Sequence, residues 1–321
     1  MRVLRLYWSD VERPWTDGFQ LHQARVPVHP SQARTRPLPP DEPHPNEGAT
    51  RDCQPFGDAM RVGVILSITP GDGRPMYGRH FADAARMIEQ SGLSSAWTFD
   101  AIGRGMMLPD PLQALTVAAT VTDRIELGTG VLQLPLRNVS EVAHRALMVH
   151  LLAVGRLLFG VGCGSTASDF SAFGADYAGR MALFDEQVPA LQMALRTGHV
   201  NGVDLAPWPC AVGGPKLLIG AWLGPWVTRA ATDYDGWIAS AAKTAGGDEA
   251  IAERLVRYRA AGGRRAIVTN VHAGADIGPT LDRLDQFAAL GFDDAVVFDL
   301  ALDARRAESF AAKCSQTGQL T

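Results

Sequence analysis

The stretch RLLFGVGCGS, residues 156–165, begins as an apolar run suited to a buried strand. It then places glycine at Gly160, Gly162 and Gly164, every second position. Residues two apart on a strand share a face, so one face of this strand loses its side chains as the strand ends. A strand that only needed packing would keep them. Something must come close to that backbone.

Outward from this stretch, short β-branched runs alternate with longer amphipathic ones. Strands are read at 62–67, 95–99, 124–129, 156–161, 216–219, 236–239, 265–269 and 294–298. Helices are read as beginning near Gly78, Asp110, Ser140, Arg180, Pro225, Asp248 and Pro279, with a last one over 303–314. Several strands are continuous apolar runs, which implies cover on both faces. Eight strand–helix units in about 260 residues is the count and size of a (β/α)8 TIM barrel. An open doubly wound sheet is the alternative, because sequence does not show closure. The segment TGHVNGVDLAPWPCAVGGP (197–215) has no helical period and reads as an insertion between helix four and strand five that covers a site.

Residues 1–59 differ in character. RTRPLPPDEPHPNEG (34–48) typifies a Pro- and Arg-rich leader that buries too little apolar surface to offset the entropy of ordering it. MRVGVILS (60–67) then sets a methionine before a good strand. The expectation is a barrel over 60–321, preceded by a disordered tail or a misassigned start.

A net charge of −4 over 321 residues gives no nucleic-acid signal. Cys53, Cys163, Cys210 and Cys314 are scattered without a CxxC pair, which argues against zinc and fits reduced thiols in a cytoplasm. No apolar run reaches the roughly 18 residues of a membrane span, and the N-terminus lacks the apolar core of a secretory signal.

In a barrel the C-terminal strand ends make the site. Here they run into SITPGDG (67–73), FDAIGRG (99–105), GTGVLQLP (128–135), GVGCGSTASDF (160–170) and IGAWLGPW (219–226), almost all with glycine. Such ends suit a flat or anionic ligand resting on main chain, although tight turns use glycine as well. GxGxxG fails, since Ser165 stands where a third Rossmann glycine belongs and the strand is the fourth. A flatter cofactor with one phosphate fits better. The amides of Gly164 and Ser165, the Ser165 and Thr166 hydroxyls, or Gly224 with the following helix start are candidates to hold that phosphate.

IELGTGVLQLPLRN (125–138), GRLLFGVGCGSTASDFSAFG (155–174) and PKLLIGAWLGPWVTRAATDYDGW (215–237) together resemble the luciferase-like monooxygenase superfamily, whose members use FMN or coenzyme F(420). The resemblance implies a (β/α)8 barrel with an insertion after the fourth unit. It implies that Thr129, Gly130 and Val131 pass beside the flavin ring, with a non-proline cis peptide forming a bulge there. It places Gly162, Cys163, Gly164 and Ser165 along the cofactor side chain, and Gly220, Ala221, Leu223 and Gly224 at the phosphate from the other side. Asp100 falls at the family's acidic position. Many members follow that acid with His, whereas this chain has Ala101. Arg104 is then the candidate for positive charge near a reduced flavin or an anionic substrate; its ordinary alternative is a loop charge or an ion pair with Asp110. The resemblance also implies a homodimer through the second and third helices.

Bland readings compete elsewhere. Asp169 suits an N-cap, Glu186 a surface ion pair, and Trp222 and Trp226 packing beneath a loop. His144 and His150 suit helix packing, Asp235 a turn, and Cys163 a small residue without a paired base. The leading function is a flavin- or deazaflavin-dependent oxidoreductase, with a small substrate stacked on the ring under the 197–215 insertion. A barrel lyase or hydrolase predicts a lysine or metal cluster at the strand ends, yet Lys216 sits at the wrong end of strand five. A non-catalytic flavin-binding paralogue is the third reading.

Overall fold

Inside-outside alternation in the strands builds two hydrophobic layers. Ile65, Trp97, Leu158, Leu218, Ile238, Ile267 and Val296 point inward and fill the lumen, with Trp97 fully buried. Their neighbours, such as Val64, Phe159 and Val268, point outward against the helices. This computed structural model describes residues 60–66, 79–105, 108–205, 207–242 and 247–316. The leader over 1–59, read as a tail, lies outside the described residues.

The barrel strands are β1 (Arg61–Ile65), β2 (Ser95–Thr98), β3 (Glu126–Thr129), β5 (Leu157–Gly162), β8 (Lys216–Gly220), β9 (Gly236–Ser240), β10 (Ala266–His272) and β11 (Asp294–Phe298). They pair in parallel in the order β3-β2-β1-β11-β10-β9-β8-β5, and β3 pairs with β5 through Leu127↔Leu157. That pairing closes the barrel and removes the open-sheet alternative. A two-residue strand β4 (Leu132–Gln133) adds to β5 where β3 ends.

The helices are α1 (His80–Gln90), α2 (Pro111–Ala119), α3 (Val139–Leu152), α4 (Ala167–Phe173), α5 (Arg180–Thr197), α6 (Gly224–Thr232), α7 (Gly247–Ala260), α8 (Gly278–Leu290) and α9 (Ala304–Gln316). Asp110 caps α2 by accepting from the N–H groups of Leu112 and Gln113, with Pro111 opening the helix. Asn138 caps α3 in the same way. Among the described residues, no helix is long and apolar enough to cross a membrane.

At the N-terminal end of the strands, Arg265 is buried between Asp294 (2.9 Å) and Glu126 (2.6 Å), and Arg61 reaches both carboxylates. The 197–215 segment lies toward this same end. It forms the hairpin β6 (His199–Val200) and β7 (Val203–Asp204), then enters β8 at its start, where Gly213, Gly214 and Pro215 share a small cavity with Lys216 and Asp235. A segment joining a helix end to a strand start emerges opposite the catalytic rim of such a barrel. The expectation that it covers the site is corrected.

Candidate active site

Seven barrel strands end on one cavity of about 490 Å³, through Phe99, Gly130, Gly162, Gly220, Ser240, His272 and Phe298. That volume is within the roughly 300–1,000 Å³ of small-molecule and cofactor sites. The connection after β1 lies outside the described residues.

What approaches the bare face of β5 is the chain itself. A Cβ on Gly160 would fall on the Thr129 carbonyl oxygen. One on Gly162 would meet Val131 Cγ2 at 2.6 Å, and one on Gly220 would meet Val131 Cγ1 at 2.6 Å. Val131 follows a cis Gly130–Val131 peptide bond, the feature implied by the family resemblance, and wedges between the ends of β5 and β8. These glycines therefore make room for the Thr129–Val131 bulge rather than directly for a ligand. The bulge in turn supplies cavity wall through Gly130 and Val131.

Gly162, Cys163, Gly164, Ser165, Gly220 and Ala221 also line the cavity. Three predicted residues do not. Thr129 is fully buried and its hydroxyl donates to the Gly160 carbonyl (2.7 Å). Leu223 is 55% exposed at the N-cap of α6. The side-chain space of Gly224 is taken by the Arg257 guanidinium. Trp222 walls the cavity, and Arg254 stacks on its ring at 3.7 Å. Trp226 packs on Phe184 instead.

Asp100 and Arg104 both line the cavity, and both are committed to partners. The Asp100 carboxylate accepts from Arg137 at 2.5 and 3.1 Å and from the Gln133 N–H at 2.9 Å. Arg104 pairs with Asp169 (2.6 Å), not with Asp110, which holds Arg145. Asp169 lies inside α4 and is fully buried, so it is not a helix cap. Gln133 joins the two pairs: its Nε2 donates to the Asp100 carbonyl (3.1 Å) and to Asp169 Oδ2 (3.0 Å). These acceptors orient the amide, and its buried Oε1 has no hydrogen-bond partner among the described residues. The five side chains fix the β2 and β5 ends of the wall. This is a positioning network, and it holds Asp100 and Arg104 at the cavity wall.

Two arginines stand at the glycine-loop edge. Arg180 donates to the Gly164 carbonyl (3.1 Å) and stacks on Tyr177. Arg254 donates to the Trp222 carbonyl (2.8 Å). Neither has a carboxylate partner among the described residues. Burial pushes the Cys163 thiol up, with the Arg180 charge offsetting only part of that, so the thiol is not activated as a nucleophile. Lys216 is exposed at the opposite end of β8, away from the cavity.

Sequence reading missed Gln133, Arg137, Arg180, Arg254 and His272. The signal was weak: Gln133 and Arg137 sit in the quoted LQLPLR run but matter only through folded contacts. His272 lies beyond the point where the apolar run of the seventh strand breaks.

A closed parallel barrel opening at its strand C-termini onto one cavity defines a TIM-barrel protein with its candidate site at that rim. The chain belongs to the luciferase-like monooxygenase family, whose profile matches residues 60–276. It is 27% identical over 233 residues to 4-hydroxyprotoasukamycin monooxygenase of Streptomyces nodosus subsp. asukaensis, a match covering 69% of this chain and 60% of that protein. The chain thus spans less than two thirds of that relative's length. An F420-dependent secondary alcohol dehydrogenase in complex with an F420-acetone adduct superposes with TM-score 0.62 at 12% identity, covering 80% of this chain and 98% of that one. The oxygenating constituent of 3,6-diketocamphane monooxygenase from Pseudomonas putida, in complex with FMN, gives 0.55 at 16% identity over 68% of each chain. At these identities the two structures share the fold.

Proposed function

We propose that the protein is an oxidoreductase that holds a flavin or deazaflavin coenzyme, FMN or F(420), in the strand-end cavity and acts on a small organic substrate beside it. The observation that carries this reading is a largely apolar cavity whose lining residues Gly164 and Trp222 are held through their carbonyls by Arg180 and Arg254, two arginines without carboxylate partners among the described residues. Apolar and aromatic walls at Val131, Phe99, Trp222 and Phe298 suit a planar ring. Arg180 and Arg254 suit the anionic end of a coenzyme, because a planar guanidinium matches phosphate geometry. The Gln133 Oε1, without a hydrogen-bond partner among the described residues, marks a further acceptor in the cavity wall.

When bound, such a coenzyme supplies two-electron chemistry, as hydride transfer or, for a flavin, oxygen chemistry. The chain's part is to orient it and exclude water. The Arg137–Asp100–Gln133–Asp169–Arg104 network keeps one wall rigid, and the Val131 wedge fixes the end of β3 against β5 and β8.

Fluorescence titration with FMN, F(420) and riboflavin tests this. Wild-type protein is expected to bind FMN or F(420) more tightly than riboflavin, which lacks the phosphate. Arg180→Gln and Arg254→Gln are each expected to weaken FMN and F(420) binding roughly 10- to 100-fold, the worth of a charge-assisted hydrogen bond, and to leave riboflavin binding unchanged. No binding of FMN or F(420) by the wild type would remove the reading.

A further inference from the structure

We infer that His272, turned into the cavity by a one-residue bulge in β10, is the group that passes a proton to the oxygen of a carbonyl-bearing substrate as that carbonyl is reduced. The inference rests on the proposed coenzyme site and goes beyond it, by naming the proton-transfer residue and the class of substrate.

The bulge is visible in the register. β10 meets β11 through Ile267↔Asp294 and Val268↔Ala295, then through Val271↔Val297 and His272↔Phe298. Three steps along β10 match two along β11, so one residue is extra. Asn270 absorbs it in the left-handed region, at φ 57°, a conformation that asparagine tolerates better than most residues. The facing pattern shows the consequence. Ile267 faces the lumen and Val268 the outer helices. Strict alternation would next send 269 and 271 inward and 272 outward. Instead Val271 joins the outer core, while Thr269, Asn270 and His272 line the cavity. Bulges beside active sites commonly re-aim a side chain in this way.

His272 is the one histidine among the described cavity-lining residues. Its ring lies edge-on to Phe298 at 4.9 Å, and neither ring nitrogen has a hydrogen-bond partner among the described residues. The other ionisable groups of the wall are engaged: Asp100 by Arg137, Arg104 by Asp169, and the Cys163 thiol is held protonated by burial. Ala101 puts a buried methyl at the place where the family resemblance set an imidazole, so the imidazole comes from the seventh strand instead of the second. Polar side chains at Ser240, Thr269, Asn270 and His272 cluster on the β9–β10 side of an otherwise largely apolar cavity. A substrate with an apolar body and one oxygen function matches that wall.

In the step, a hydride that a bound reduced coenzyme would supply reaches the carbonyl carbon. The C=O π bond opens, and the protonated imidazole gives its N–H proton to the oxygen. A hydroxyl product results, and the exposed imidazole is reprotonated from solvent. Burial, and then the charge of Arg283 on α8, hold His272 below its ordinary value of 6.5. Arg283 is paired with Asp248 of α7, and the Asp299–Arg306 pair ties the end of β11 to α9. The protonated donor is therefore present at low pH and lost as pH rises through a midpoint below 6.5.

The test uses the full chain loaded with FMN or F(420) and reduced, with cyclohexanone as the probe; each hydride accepted at its carbonyl carbon calls for a proton on oxygen. Wild-type turnover is expected to fall as pH rises through the imidazole titration. His272→Gln, at an exposed position, is expected to bind coenzyme within about twofold of wild type, to turn over about 100-fold more slowly, and to lose that limb of the pH profile. In parallel, the imidazole nitrogen resonance assigned to His272 is expected to shift when coenzyme saturates the protein. Intact coenzyme binding with an unmoved resonance, or a His272→Gln profile like the wild type's, overturns this inference alone. Failure of both coenzymes to bind overturns the proposed site, and this inference with it.

Discussion

Arg265→Met is expected to lower the unfolding free energy by about 3 kcal/mol, the low end of the range for breaking a buried ion pair. Arg265 is 3% exposed in its side chain and Asp294 is 1% exposed. Methionine keeps much of the volume and removes five donors. Asp294 and Glu126 would then remain together at the N-terminal end of the barrel, with Arg61 paired to both and the Lys216 charge near Glu126. Because Arg61 is retained, the loss falls at the low end. Asp294→Asn added to Arg265→Met is expected to recover part of it. The same cluster sets an acid limit. Burial pushes the Glu126 carboxyl up, but the hydrogen bond and charge of Arg265, with the charges of Arg61 and Lys216, leave it below its ordinary value of 4.5. A carboxylate depressed on folding stabilises the native state above its unfolded pKa, and that contribution is lost as pH falls through the folded one. Denaturant melts between pH 3 and 7, about this window, are expected to show wild-type stability falling below pH 4.5. Arg265→Met should start lower and fall less. Equal stability of the two proteins at pH 7 would contradict the role given to the cluster.

Gly160→Ala is expected to be among the most damaging single methyls at the described glycines. The added carbon would strike the Thr129 carbonyl oxygen, a backbone atom that cannot rotate away, and Ile238 Cδ1 at 2.5 Å. Overpacking typically costs about 1–3 kcal/mol and sometimes more; a backbone collision places this case at about 3 kcal/mol or above. The effect on ligand binding should be separate and visible. Moving Thr129 moves the Gly130–Val131 wall of the cavity, so coenzyme affinity is expected to fall at least tenfold, about 1.4 kcal/mol, at temperatures where the variant is still folded. Gly274→Ala is the control, since its new carbon would meet nothing nearer than 3.6 Å. Thermal melts and coenzyme titration of both variants check the pair. A Gly160→Ala protein that melts and binds like Gly274→Ala would show that the bulge has room the geometry denies.

The barrel strands were legible because burial on both faces writes continuous apolar runs, and the helix starts at 110, 180 and 225 fall within one residue of those observed. The alternation of Gly160 and Gly162 correctly marked the inner face of β5 at its mouth. Its cause was misread: sequence shows that side chains are absent but not which atoms occupy the space. Only folding brings Val131, thirty-odd positions earlier, into that gap. α4 was missed because ASDFSAF is short and polar, with no period to read. The ion pairs of Asp100 and Arg104 were missed for a related reason, since Arg137, after β4, and Asp169, within α4, are distant in sequence. The bulge at Asn270 ended the apolar run early and hid His272, although it is the bulge that gives that residue its orientation.

The β6–β7 hairpin follows α5 toward the N-terminal end of the barrel strands, away from the strand-end cavity. Its Asn201–Gly202 tip can therefore carry a fluorophore, an affinity handle or a surface tether. Anchored there, the molecule would stand with its opening toward solution, and immobilisation would not obstruct traffic of coenzyme or substrate.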